Sequence, residues 1–266
     1  MMFLSAESRA RRVVAALGIL TVLLCLLWAY AAFVETRWIR VVQLSLSDSP
    51  SLKLVHITDL HHKGDQGYLD KIVRVVNTLE PDLVCITGDL VEQARYLPAV
   101  LAAVEQIGAP VFGVPGNWEH WGAIDLSLVE GSCEKTGGTL LVNSSARFRE
   151  NWVIVGIDNV STGHAVIERA FAAVRQDDQV IFLTHCPLGI ELLAGRQVAL
   201  TLAGHSHGGQ VRLPIIGALF TVDNVGRYER GYFDTANGPF YVNPGIGTSV
   251  VPMRFLCRPE ITVVSL

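Results

Sequence analysis

The chain has 266 residues, 21 Lys and Arg against 25 Asp and Glu, and a formal net charge of −4. That balance excludes a basic nucleic-acid surface and a charged interaction tail, so no nucleic-acid partner is expected. Its five cysteines show no C-x-x-C spacing, which excludes a disulfide framework and a cysteine zinc site.

The mean hydropathy of +0.37 is high for a water-soluble chain, and the excess lies at the start. Residues 1–12 are basic, with Arg9, Arg11 and Arg12. Residues 13–33 carry no charge. Roughly 20 apolar residues cross the hydrocarbon core, so this run is expected to be one transmembrane helix. Trp28, Tyr30, Phe33 and Trp38 suit a membrane interface. Arg37 and Arg40 come next, and the three-to-two arginine bias favours an amino terminus in the cytoplasm. Ala29, Tyr30 and Ala31 also fit a signal-peptide cleavage site, and that alternative stays open beside the uncleaved anchor. No candidate site residue falls in the segment, so the anchor is expected to be separable from the rest of the chain.

Residues 34–50 read as a connecting strand and turn. Alternation from Trp38 to Leu46 fits a half-exposed strand, and Ser47–Pro50 is expected to fold it into a hairpin with the next strand. Residues 51–266 then form one α/β domain. Apolar spacing predicts helices at 69–79, 97–106, 126–135 and 165–174. They alternate with short apolar runs at 52–58, 83–87, 111–114, 139–142, 152–157 and 180–183, which argues for parallel crossover units. From Gln210 onward the patterns are short and strand-like, closing at 240–242 and 261–264.

Five of these runs end in residues that can hold a metal. The first ends in Asp59 and His61, the second in Gly88-Asp89, the third in Gly116-Asn117 and the fourth in Thr184-His185. A fifth run, through Leu202, ends in Gly204-His205 and His207, with Gly208 and Gly209 turning the chain. Open α/β sheets place their sites at strand carboxyl ends, and neutral imidazole is the commonest metal ligand.

The ordered set D-x-H, G-D, G-N, T-H and G-H-x-H resembles the calcineurin-like metallophosphoesterases, over nearly the whole chain from Ser51. The resemblance implies a four-layer α/β/β/α sandwich of two mixed sheets and two divalent metal ions. Asp59, His61 and His207 would hold one ion, Asn117, His185 and His205 the other, and Asp89 would bridge them. These oxygen and nitrogen ligands fit manganese, iron or zinc. Many relatives carry His after the Asn of the third motif, where this chain has Trp118, which cannot transfer a proton. His120, two residues on, is the candidate replacement; a surface histidine is the plainer reading of it, and a helix starting there would aim it elsewhere.

Gly208-Gly209-Gln210 and the tail through Pro244 and Pro252–Ile261 resemble the membrane-anchored bacterial branch, which holds phosphodiesterases and UDP-2,3-diacylglucosamine hydrolases of the lipid A pathway. That implies a single-pass protein of the bacterial inner membrane hydrolysing a phosphodiester or pyrophosphate of a lipid-linked nucleotide. A phosphomonoesterase of the same fold, or a metal-binding scaffold of weak activity, are the competing expectations. Arg254 and Arg258 are candidate phosphate or membrane contacts, with solvated loop charges as the alternative. His56 and His164 are expected to be structural or exposed.

Overall fold

A long amino-terminal helix leads into a two-sheet domain in the computed structural model, which describes residues 6–266. Helix α1 (Ala6–Ala29) continues in wider turns at Tyr30–Val34 and ends in a tight turn at Glu35–Arg37. Its most apolar stretch is wholly unburied. A helix apolar all round with no packing partner is suited to a bilayer rather than to water, and it contains the expected span.

The strands of the first sheet are β1 (Arg40–Ser45), β2 (Lys53–Ile57), β3 (Leu83–Ile86), β4 (Val111–Gly113) and β5 (Thr139–Leu140). Next come β6 (Ser144–Arg149), β7 (Trp152–Gly156), β8 (Gln179–Leu183), β9 (Leu200–Ala203) and a small hairpin, β10 (Arg212–Leu213) and β11 (Gly217–Ala218). The chain closes with β12 (Gly231–Thr235), β13 (Gly238–Val242) and β14 (Glu260–Ser265). One sheet runs β1-β14-β2-β3-β4-β5, the other β12-β13-β9-β8-β7-β6. β2 to β5 are mutually parallel, as are β7, β8, β9 and β13, with antiparallel pairs towards the edges.

Helices α2 (Gln66–Thr78), α3 (Leu97–Val104) and α5 (Leu126–Lys135) cover the outer face of the first sheet. Leu54, Cys85, Phe112, Ile154, Ile181 and Leu202 fill the space between the sheets. The short α6 (Ile167–Ala170) and the turn Pro187–Leu193 cover the outer face of the second. This is the expected four-layer arrangement. Strands buried on both faces read as unbroken apolar runs, as β3 and β8 do.

Four local expectations are corrected. β1 is an edge strand but forms no hairpin with β2, because β14 lies between them, parallel to one and antiparallel to the other. β6 is additional to the expected strands; only Ala146 and Phe148 of this edge strand turn to the core, too short an apolar alternation to stand out. The expected helix at 165–174 shrinks to α6, where only Ala170 is buried. Arg254 is neither a phosphate contact nor a solvated charge. It is fully buried, and its guanidinium donates to the carbonyls of Gly247 at 2.6 Å, Pro244 at 2.8 Å and Cys257 at 3.1 Å.

Candidate metal centre

The carboxyl ends of β2, β3, β4, β8 and β9 converge from two sheets on one buried volume. Asp59, His61, Asp89, Asn117, His185, His205 and His207 are all buried there. Five of them take left-handed backbone conformations, with φ of 52° at Asp59, 40° at His61, 56° at Asp89, 67° at His205 and 50° at His207. Such conformations are costly for side chains other than glycine and concentrate at functional sites. The chain turns sharply just beyond the ends of β2, β3 and β9, where these residues lie. The approach of the loops requires glycine: a Cβ on Gly116 would strike the Asp89 carboxylate, and one on Gly204 would strike Thr58 and Asp59.

Asp59, His61, Asp89 and His207 offer ligand atoms within 4.8 Å of one another, and Asp89, His185 and His205 do the same. Asp89 belongs to both groups, its Oδ2 lying 3.4 Å from His61 Nε2 and 3.3 Å from His185 Nε2. His61 and His207 face each other through Nε2 at 3.1 Å, and His185 Nε2 lies 3.1 Å from His205 Nδ1 and 3.0 Å from Asn117 Oδ1. Asp59 Oδ1 is buried without a hydrogen-bond partner, 3.3 Å from His207 Nε2. Ring nitrogens and an orphaned carboxylate oxygen aimed at shared points form a donor set suited to divalent cations.

The charges agree. Burial would raise the pKa of Asp59, but His207, His61 and His185 outweigh it and hold the carboxyl well below the usual range. Asp89 is likewise held down against burial, chiefly by His185. Burial opposes charge on His61, yet the carboxylates of Asp59, Asp89 and Glu92 around it push it up to about 10. His207 is pushed down to about 3 by burial, against the opposing pull of Asp59. The site thus keeps its carboxylates ionised and draws positive charge inward.

A surrounding layer orients these groups. His185 Nδ1 donates to Thr87 O at 2.6 Å, which turns Nε2 towards Asp89. Asp59 Oδ2 accepts from Thr58 Oγ1 and from the His205 N–H. Asp89 Oδ1 accepts from the Trp118 N–H at 2.9 Å. Buried Glu119 accepts from the N–H groups of Asp89, Leu90 and Gly116, clamping the second and third loops together. Sequence reasoning missed Glu119; its place three residues after Gly116, at a helix start, was the available signal. It also missed Glu92, which lies 3.1 Å from both His61 Nδ1 and Lys63 Nζ.

His120 stands outside both ligand groups. The short helix α4 (Asn117–Trp121) begins at Asn117, and one turn on it directs His120 Nε2 to Asp158 at 2.6 Å, with the ring stacked on His164. Trp118 instead meets His61 edge to face, ring centres 6.0 Å apart. His56 is buried and structural, and His164 is exposed.

A calcineurin-like phosphoesterase family model matches residues 52–209, and the chain belongs to that family. It is 31% identical over 80% of its length to a bovine transmembrane protein with metallophosphoesterase domain, of which the match covers 52%. It is 24% identical to the phosphodiesterase YaeI of Escherichia coli, over 90% of this chain and 92% of that protein. A dimetal phosphatase structure from Danio rerio shares the fold, with a TM-score of 0.52 and 13% identity, over 82% of this chain and 99% of that one. The chain is therefore a phosphoester hydrolase with two adjacent metal-binding sites built from Asp and His residues.

Proposed function

We propose that this is a membrane-anchored phosphodiesterase or pyrophosphatase acting on a lipid-linked nucleotide, UDP-2,3-diacylglucosamine being the model substrate. In this reading Asp59, His61 and His207 hold one cation, Asn117, His185 and His205 the other, and Asp89 is shared. Bound divalent cations would supply Lewis-acid polarisation of the phosphoryl group and a low-pKa water. The protein's own part is to hold the ligand side chains in place through Thr87, Thr58 and Glu119. The name of the Escherichia coli relative supports a diester.

The observation that carries the lipid assignment is a cavity of about 140 Å³ between the anchor and the metal loops. Thr36 and Arg37, at the foot of the anchor, line it together with the ligand His61, and Lys63, Tyr68 and Thr248 complete its polar wall. The buried Tyr68 hydroxyl has no partner. Substrate bound there would touch both the anchor's exit and the first metal site.

Trp118 leaves no proton donor directly after Asn117, which favours anhydrides and activated diesters over alkyl phosphomonoesters. His120, held by Asp158 outside both ligand groups, is the alternative donor that a series of leaving groups would reveal. Full-length protein in vesicles, given UDP-2,3-diacylglucosamine and an alkyl phosphomonoester, should cleave the first and barely touch the second. A preference for the monoester would overturn the reading. The arginine bias puts the domain outside, whereas this nucleotide is made on the cytoplasmic side, and a reporter fused at Leu266 decides between them; a cytoplasmic signal would keep this nucleotide as the substrate, and an external carboxyl terminus would exclude it and leave another lipid-linked diester.

A further inference from the structure

The site side of the domain carries apolar residues that nothing among the described residues covers. Ile215 and Ile216 lie at the tip between β10 and β11, and Phe220 lies just beyond it; their exposures are 107%, 70% and 79%. Val250, 87% exposed, and Leu256 lie in the turn before β14. Ile215 and Val250 also take left-handed φ values of 72° and 60°, which branched side chains avoid. In water these tips cost stability twice, through exposure and through strain.

The two segments are one structure. Phe255 N donates to Gln210 O and Arg212 N to Phe255 O, both at 2.9 Å, while the Gln210 side chain exchanges two hydrogen bonds with the backbone of Ser249. That structure is fastened to the anchor. Arg254 N donates to Ala31 O at 3.0 Å, and Cys257 N donates to Glu35 Oε1 at 2.7 Å. At its other end it reaches the metal centre, where Asp223 O is 2.9 Å from His205 Nε2.

We propose that the β10–β11 tip and the turn at 249–256 are a second membrane contact, sunk into the interface of the leaflet from which the anchor emerges. Continuity with the anchor selects a bilayer as the occupant. Ala31 lies within the membrane-spanning run, so a turn hydrogen-bonded to it stands at the hydrocarbon boundary. Arg230, which donates to Leu256 O, and Arg258, stacked on the exposed Trp38 ring at 4.1 Å, place cations at headgroup level beside the apolar tips. The anchor alone would leave the domain, fastened to its foot, free to tilt with it in the bilayer. A second contact fixes its tilt and holds the metal centre's mouth at headgroup depth. The inference rests on the anchor spanning a bilayer, not on the identity of the substrate.

The test is nitroxide labelling of the full-length chain in phosphatidylcholine–phosphatidylglycerol vesicles, comparing collisions with oxygen and with a water-soluble nickel chelate. Cys25 is exposed and the other four cysteines are buried, so a label on native Cys25 reports the anchor itself. In a Cys25→Ala background, further labels are placed at Ile216→Cys, Phe220→Cys and Val250→Cys. Asp177→Cys, before the amino end of β8, is the solvent control at the end of the strand opposite His185. Oxygen-to-chelate ratios at 216, 220 and 250 should exceed that at 177 several-fold and approach that at 25. Ratios like that of 177, with 25 protected, would overturn the proposal; so would a chelate-accessible 25. Spin–spin broadening at 220 that vanishes on dilution with unlabelled chain would assign the surface to a second copy instead. None of these readings needs turnover, so a failure of hydrolysis would count against the proposed function alone.

Discussion

His56 lies beneath the metal loops, buried, with Nε2 2.8 Å from Thr87 Oγ1. Burial, only partly offset by Asp59, lowers its pKa to about 3. Between its ordinary value of about 6.5 and that value, the unfolded chain binds a proton that the folded chain refuses. Stability therefore falls as pH drops below about 6.5, by about 1.4 kcal/mol per unit from this group. A His56→Gln variant should lose melting temperature less steeply than the parent from pH 7 to 4; parallel curves would show that His56 contributes nothing to acid sensitivity. Trp118 bears on chemistry rather than stability. General acid assistance is worth about 10²–10⁴ in rate, most where the leaving group is poor. In a plot of rate against leaving-group pKa, the parent should show a steep slope and Trp118→His a shallower one. A shallow slope in the parent would point to His120 as the proton donor. The seven candidate ligands stood out in sequence because they follow five short apolar runs. Glu92 and Glu119 did not, since only the folded loops bring them to His61 and Asp89.

At the scale of elements, the anchor departs most from expectation. Its foot is not separable: Ala31 and Glu35 are buried in the domain. A mechanical path runs from Ala31 through Arg254 to Gly247, whose N–H donates to Asp59 O at 2.7 Å. Removing residues 1–29 should leave a folded domain that binds metal, whereas removing residues 1–37 should not. Glu35→Ala orphans the buried Cys257 N–H and should cost about 1–3 kcal/mol, read as a lowered melting temperature; an unchanged value would deny the anchor its structural role. Local pattern located α5 at its observed bounds, because its apolar face and caps lie within one stretch. It gave β1 the wrong neighbour, because pairing with β14 joins residues some two hundred apart. It overextended α6: Phe171 and Val174 still pack against the second sheet's outer cluster, but from beyond the end of the helix.

Over the whole molecule, two sheets meet so that five strand ends share one buried centre, and the hydrolase reading stands on that convergence. The four layers could be read from the chain, as could the seven residues that the fold gathers at one centre. The cavity beside the anchor could not, because it exists only where Arg37, Lys63 and Thr248 are folded together. The central claim is that Asp89 joins two metal sites into one catalytic unit. The direct measurement is metal content per chain, set beside hydrolysis of bis-p-nitrophenyl phosphate, as manganese is titrated into metal-stripped protein and into Asp89→Asn. Two ions per chain are expected in the parent, with activity rising as the second binds. Asp89→Asn should hold fewer and turn over roughly 10³-fold more slowly, on the scale of losing a main electrostatic element. Two ions and near-parental turnover in Asp89→Asn, or two ions and no hydrolysis in the parent, would contradict it.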